Sequence, residues 1–507
     1  LHPISGWGQI GTYLINFKNM NVIKTCFIFY IFSLILLCAA CTTPMRVVMF
    51  GRPSINDAAI FSCDTVAANP QPFQFIEQTA YKPLPDIDYW IKKSSNADDY
   101  ETPEEFFKAT QTSAFLVIRN DSILYENYFN GYQREQPVII FSLSKAITTA
   151  LVGIAIKEGY FKNTQQRVVE FIPAFAADGR RDITLEHLMQ MSSGLNVSDH
   201  KDFFKLAALY YNNQLEDYIK KTKLKYKPGT HFAYKSLDTQ ILGLCLEKAT
   251  GKRLSDYLAE KLWQPLGMEC DALVTLDHAG GNARSYGGMA ACARDLAKIG
   301  RLYLNNGNWN GKQIVPTDWI TKSTAISDTS HWWGYATGWW LNTYVNQNLY
   351  EKQDFVAAGF SGQRIYVDPE SNVIIVRQGN SQKNINWTST CARLNSLLNH
   401  CTPRTCDISE VNTNLFAGYY KAKGGFKFSV VRKGENKWVV RSGLFRTVLR
   451  QESPQCLFSR RRQHRYIFET DKDQKNVVGL YWDNLRKMTY CEKVDKMKPK
   501  TSIFKQK

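Results

Sequence analysis

Residues 137–161 read PVIIFSLSKAITTALVGIAIKEGYF. An apolar run, 137–141, leads into Ser142-Leu143-Ser144-Lys145. Residues 145–161 then carry a helical apolar period that closes near Gly159. A serine and a lysine three residues apart at a helix start share one face. The positive end of the helix dipole favours an alkoxide-like oxygen or a neighbouring oxyanion. Burial of the lysine there disfavours its charged form, which makes a neutral amine base available. The tetrad is not selective by itself, because Ser198/Lys201 and Ser502/Lys505 repeat the spacing. Taken alone, Ser142 also reads as a helix N-cap and Lys145 as a solvated side chain.

Two further segments bear on the same chemistry. Tyr234-Lys235-Ser236 stands just before a helical segment at 237–249. A tyrosine there can shuttle a proton between Ser142 and a leaving group if neighbouring cations lower its pKa. Taken alone it is a ring packed at a helix entrance. Residues 357–363, AAGFSGQ, lead into a strand at 363–367. Their small side chains let a substrate backbone lie against the strand edge. A main-chain N–H there completes an oxyanion hole with that of Ser142; taken alone the segment is a plain turn. HWWGYATGWW (331–340) gathers four tryptophans and one tyrosine, as the rim of an apolar cleft or as packing between sheet and helices.

Outward from these segments the chain alternates strand and helix signals. SAFLVIRNDSILYENYF (113–129) reads as strand, turn at Asn120-Asp121, strand. Residues 184–194, 236–251 and 294–307 read as helices, the last closed by Asn-Gly, and 362–378 as a hairpin. Strand pairs at both ends with helices between predict one antiparallel sheet plus an inserted helical part, over 83–402. Residues 41–82 read as an extended arm, 401–406 as a linker, 410–493 as a small antiparallel β domain, and 494–507 as a basic tail.

In this order the three motifs resemble those of the serine β-lactamase and penicillin-binding-protein superfamily: SxxK, Tyr-x-Asn or Tyr-x-Ser, and a Lys-Thr-Gly-like turn. The chain is similar above all to class C-type β-lactamase-related hydrolases of the 6-aminohexanoate-dimer hydrolase kind. Supporting stretches include GRPSINDAAIF (51–61), KPGTHFAYKSLDTQILG (227–243), WQPLGMECDA (263–272) and 287–320. The likeness covers about 51–400. It implies an α+β, β-lactamase/transpeptidase-like fold in which an antiparallel sheet is flanked by helices with an inserted helical subdomain. It further implies Ser142 as the acylated nucleophile, Lys145 as its base, and Tyr234 as the residue that protonates the leaving group. The backbone N–H groups of Ser142 and Phe360 would form the oxyanion hole. Ser236, Gly359 and Gly362 would contact substrate. Ala357 stands where many members carry Lys or His to hold a substrate carboxylate, which favours neutral amides or esters.

The N-terminus and composition set the location. CFIFYIFSLILLCAA (26–40), flanked by Lys24, is short for a membrane span and fits the apolar core of a secretory signal at 20–40. Leu1–Asn19, ahead of Met20, reads as upstream translation. Ala39-Ala40-Cys41 resembles a bacterial lipobox, with Cys41 as the lipidated residue. Ordinary cleavage after Ala40 and an uncleaved anchor remain alternatives. The expected location is the bacterial envelope, as a lipoprotein of periplasm or outer membrane. Of 507 residues, 44% are hydrophobic and 21% charged, which excludes a disordered or collagen-like chain. The formal net charge of +17 suits nucleic acid, anionic surface or acidic substrate. An exported location leaves the envelope surface as its partner and makes nucleic acid a poor one. Twelve cysteines are too sparse for a disulfide scaffold. With 1–40 removed and Cys41 lipidated, nine cysteines remain; among them Cys401 and Cys406 are near enough in sequence for a local bridge, and no CxxC or His/Cys array suggests a metal site. No cofactor is expected. The function read from the sequence is a serine hydrolase of amides or esters acting through an acyl-enzyme on Ser142. The alternatives are a β-lactamase or peptidoglycan D,D-peptidase, and a catalytically silent binder of cell-wall fragments.

Overall fold

The computed structural model describes residues 43–77, 102–176, 178–199, 203–325, 334–341, 354–382 and 385–400. It also describes the strands of a C-terminal barrel within 413–494. The apolar segment 26–40, Cys41, Cys401, Cys406, 331–333 and the tail beyond 494 lie outside the described residues.

In chain order the strands before the barrel are β1 (Cys63–Val66), β2 (Ile76–Glu77), β3 (Thr112–Arg119), β4 (Ser122–Tyr128), β5 (Val138–Ile139), β6 (Ala272–Thr275) and β7 (Met289–Ala291). They continue with β8 (Asn308–Trp309), β9 (Lys312–Gln313), β10 (Tyr335–Ala336), β11 (Trp339–Leu341), β12 (Phe355–Ala358), β13 (Arg364–Asp368) and β14 (Val373–Gly379). The main sheet has the order β10-β11-β12-β13-β14-β3-β4-β2. Its strands come from both ends of this part of the chain. All pairings are antiparallel except that of β2 with β4 at one edge. Asn120 and Asp121 close the β3–β4 hairpin with φ of 50° and 59°, the left-handed pair that a tight hairpin turn requires.

Alternation along β3 and β14 divides the core. Leu116, Ile118, Ile374 and Val376 face the larger apolar cluster, which includes the helices 144–157 and 293–304. Phe115, Val117, Val373 and Ile375 face a second cluster with Phe106, Phe107 and Trp387. A side-chain period of two places both sets without conflict, and helices cover both faces. The helix Ala293–Leu304 comes close to the sheet at Gly300, where a Cβ would lie 2.9 Å from an Ile374 methyl.

A smaller sheet has the order β1-β6-β7-β5. The arm is thus not simply extended: Thr43–Phe50 is helical, and Cys63–Val66 pairs with Ala272–Thr275. The segment 184–194 forms a helix only over Leu185–Met189, fixed by a Thr184–His187 capping box.

Eight antiparallel strands from β15 (Gly418–Ala422) to β22 (Met488–Val494) close into a barrel, because β22 returns to pair with β15. Phe416, Tyr420, Phe428, Trp438, Leu449, Tyr466, Phe468 and Leu480 fill its interior. An eight-stranded barrel is just wide enough for side chains alone.

Candidate active site

Strand β5 and the helix Ser144–Lys157 are joined by a 3₁₀ turn, Phe141–Leu143, that carries Ser142. Phe141 takes φ 49°, a left-handed conformation costly for a bulky residue. The turn is held from below by Ile140 N–H donating to Met289 O on β7, at 2.9 Å. One helical turn on, Lys145 is 1% exposed and donates to Ser142 Oγ at 2.8 Å, Ser236 Oγ at 3.0 Å and Tyr286 O at 3.1 Å. Burial pushes the Lys145 ammonium down to about 8, against the opposing pull of Asp199. The amine is therefore poised to accept the hydroxyl proton of Ser142 near neutral pH.

Tyr234 enters from the other side. It is buried, shares a hydrogen bond with Ser142, and stacks its ring 4.9 Å from Lys145 Nζ. Read from the sequence, Tyr234 shuttles a proton if nearby cations lower its pKa. The structure reverses that direction: burial raises the phenol above its ordinary value, the Asp199 charge adds to the rise, and the Ser142 hydrogen bond opposes it. Tyr234 thus holds its proton and is suited to donate rather than to act as a standing phenolate.

Ser236 opens the helix Ser236–Thr250. Its hydroxyl accepts from Lys145 and donates to Asp199 Oδ2 at 2.6 Å, while its N–H donates to Asp199 Oδ1 at 2.9 Å. Asp199 N–H in turn donates to Tyr234 O at 3.1 Å. Sequence reasoning missed Asp199. It sits inside the discarded 198–201 repeat of the SxxK spacing, and no local signal links it to a helix start 37 residues away. Lys235, the middle residue of the motif, points away from the site and forms a fully buried pair with Asp238 at 3.2 Å.

The end of β12 closes the third side. A Cβ on Gly359 would lie 2.9 Å from both Ile140 O and Leu143 Cδ1, so only glycine lets this strand end sit against the Ser142 turn. Phe360 follows, exposed, its ring edge-on to Phe141 at 5.4 Å and 4.9 Å from the Arg52 guanidinium. Ser361 is left-handed at φ 58°, and buried Arg377 clamps its carbonyl at 2.7 Å. Gly362 lies behind the turn, where a Cβ would meet Arg377 and Trp387 rather than open cleft. Ala357 is fully buried on β12. The tryptophan-rich hairpin splits its rings. Trp339 is in the core against Tyr303 and Phe355, whereas Tyr335 and Trp340 stand 5.5 Å and 5.4 Å from the Tyr234 ring.

The β-lactamase family profile matches residues 104–394, which span the helices and main sheet around this site. The chain belongs to the β-lactamase family. A 6-aminohexanoate-dimer hydrolase of Paenarthrobacter ureafaciens is 26% identical over 299 residues, covering 54% of this chain and 74% of its own. An Escherichia coli K12 protein provisionally named D-alanyl-D-alanine carboxypeptidase is 22% identical over 337 residues, covering 52% and 77%. Among solved structures, a Bacillus anthracis protein provisionally named 6-aminohexanoate-dimer hydrolase superposes with a TM-score of 0.59 at 23% identity. It covers 68% of this chain and 93% of its own, a likeness of fold. This member of the β-lactamase family is therefore a β-lactamase-fold hydrolase, whose relatives carry the names of a dimer hydrolase and a carboxypeptidase.

Proposed function

We propose that this chain hydrolyses amide or ester bonds through an acyl-enzyme on Ser142. The observation that carries the reading is the buried Lys145 amine 2.8 Å from Ser142 Oγ with its pKa pushed down to about 8. Lys145 takes the hydroxyl proton as Ser142 attacks the carbonyl carbon. Tyr234 then supplies a proton to the departing amine or alcohol, and water releases the acyl group by the same relay. Main-chain N–H groups of Ser142 and Phe360 receive the oxyanion. Ser236 and Gly359 border the acyl group, and the buried Ala357 favours neutral substrates such as linear amides. The chain is exported and held in the bacterial envelope through lipid on Cys41. A fluorophosphonate probe followed by peptide mass mapping tests the chemistry. An adduct on Ser142, absent in Ser142→Ala, is the expected result. A folded protein without that adduct defeats the proposal.

One observation favours a second reading, a β-lactamase or D,D-peptidase. Arg52 places an exposed cation over Phe360, at the border where a substrate carboxylate would need one. Turnover of nitrocefin or D-Ala-D-Ala peptides faster than that of neutral esters, with KM raised by Arg52→Gln, supports this reading. Faster neutral esters and no effect of the variant reject it.

A further inference from the structure

Cys270 and Cys292 take no part in the hydrogen bonds of the Ser142 site, yet their sulfurs and one Asp295 oxygen fall within 4.8 Å of one another. Cys270 stands two residues before β6. Cys292 directly follows β7 and caps the helix Ala293–Leu304. Because β6 and β7 are antiparallel neighbours, the two thiols meet at the same end of the small sheet. They differ in access. Cys292 is fully buried, whereas Cys270 is 9% exposed and forms part of the wall of a cavity of about 300 Å³, with Arg134, Glu269 and Arg294 among its lining.

The surroundings hold the Cys270 backbone on both sides. Its N–H donates to Asp295 Oδ2 at 3.0 Å, and its carbonyl accepts from Trp263 Nε1 at 2.9 Å. Asp295 Oδ1 already accepts from Glu269 N–H at 2.7 Å and from Lys298 Nζ at 3.3 Å. Both carboxylate oxygens therefore have donors, and a buried ammonium sits beside them. That arrangement is unsuited to a metal ion, which would have to displace those donors and face the lysine charge. It leaves the two sulfurs as the reactive partners. The Cys292 thiol is held above its ordinary pKa, first by its hydrogen bond with Cys270 and then by burial.

We propose that Cys270 and Cys292 form a reversible dithiol–disulfide pair, oxidised by a small-molecule disulfide that enters the cavity beside Cys270. The Cys270 sulfur, having lost its proton to water, attacks one sulfur of the small disulfide and releases the other half as a thiolate. The mixed disulfide so formed is then attacked by Cys292, which gives up its proton as the second thiolate leaves. Two protein thiols are oxidised, the small disulfide accepts the two electrons, and two small thiols depart. Cys270, which borders the cavity, makes the first attack, and the buried Cys292 resolves the mixed disulfide. The product links the two inner strands of the sheet that supports the Ser142 turn through β5.

The test is a glutathione redox titration of the full-length native protein, quenched in acid, alkylated after unfolding and mapped by mass. The expected species has lost about two hydrogens, carries a peptide link between Cys270 and Cys292, and returns to two alkylatable thiols on reduction. Cys292→Ser should instead retain glutathione on Cys270. Three results overturn the proposal. One is no link in folded wild-type protein at a poise that oxidises the unfolded chain. Another is a persistent glutathione adduct on wild-type Cys270. The third is protection of both thiols by a divalent ion that a chelator removes. The readout is the covalent link itself, so it stands or falls separately from any result with substrates.

Discussion

Replacing Asp199 by asparagine keeps the shape of the Ser236 contact and removes one charge. Lys145 and Asp199 are bridged by the Ser236 hydroxyl, 3.0 Å from one and 2.6 Å from the other. Their charges therefore lie within about 6 Å. At that separation the attraction is about 3 kcal/mol at an effective dielectric near 20 and under ~1 kcal/mol in bulk water. Asp199 is half-buried, so the true value falls between these limits. At about 1.4 kcal/mol per pKa unit, the loss lowers the Lys145 pKa by about 0.5–2 units. The sign follows from charge: a neutral neighbour no longer favours the ammonium, and the free amine gains. With a wild-type value of about 8, roughly a tenth of Lys145 is neutral at pH 7. In Asp199→Asn the fraction rises to between about a quarter and nine tenths. The assay is the acylation burst with an activated ester, followed by stopped flow from pH 6 to 9.5. Wild-type acylation should climb about tenfold from pH 7 to its plateau. The variant should reach a lower plateau, because Ser236 is less firmly held, but should reach it at lower pH. A wild-type profile flat across this range, or a variant midpoint displaced upward, would refute the assignment of Lys145 as the base.

Three further substitutions probe separate parts of the site. Gly359→Ala pushes β12 from the Ser142 turn, where its Cβ would lie 2.9 Å from Ile140 O; kcat should drop about tenfold or more while the melting temperature changes little. Tyr234→Phe removes the proton donor and should lower kcat by about 10²–10⁴ with KM within a few-fold, measured on an amide whose leaving group needs protonation. Lys235→Met strands the Asp238 carboxylate in the core and should cost about 3–5 kcal/mol in urea unfolding, whereas Lys235→Met/Asp238→Leu should recover most of that loss.

The sequence by itself determined what short-range chemistry can encode. The 137–161 stretch put a serine and a lysine one helical turn apart at a helix start. Asn120-Asp121 marked a tight hairpin, and Gly251 ends the Ser236–Thr250 helix with φ 68°. Together with the order of the three motifs, these were enough to give the β-lactamase-like fold and the hydrolase class. Tertiary structure decided what depends on distant neighbours and on exclusion of water. The strand in the arm exists because residues 272–275 offer it a partner, and the barrel closes because its last strand returns to its first. Asp199 reaches Ser236, and Ser236 reaches Lys145 across 91 residues, by packing alone. The pKa directions follow the same rule. Residue identity says that a lysine and a tyrosine can move protons, but only the depth of burial sets Lys145 below its usual range and Tyr234 above its own.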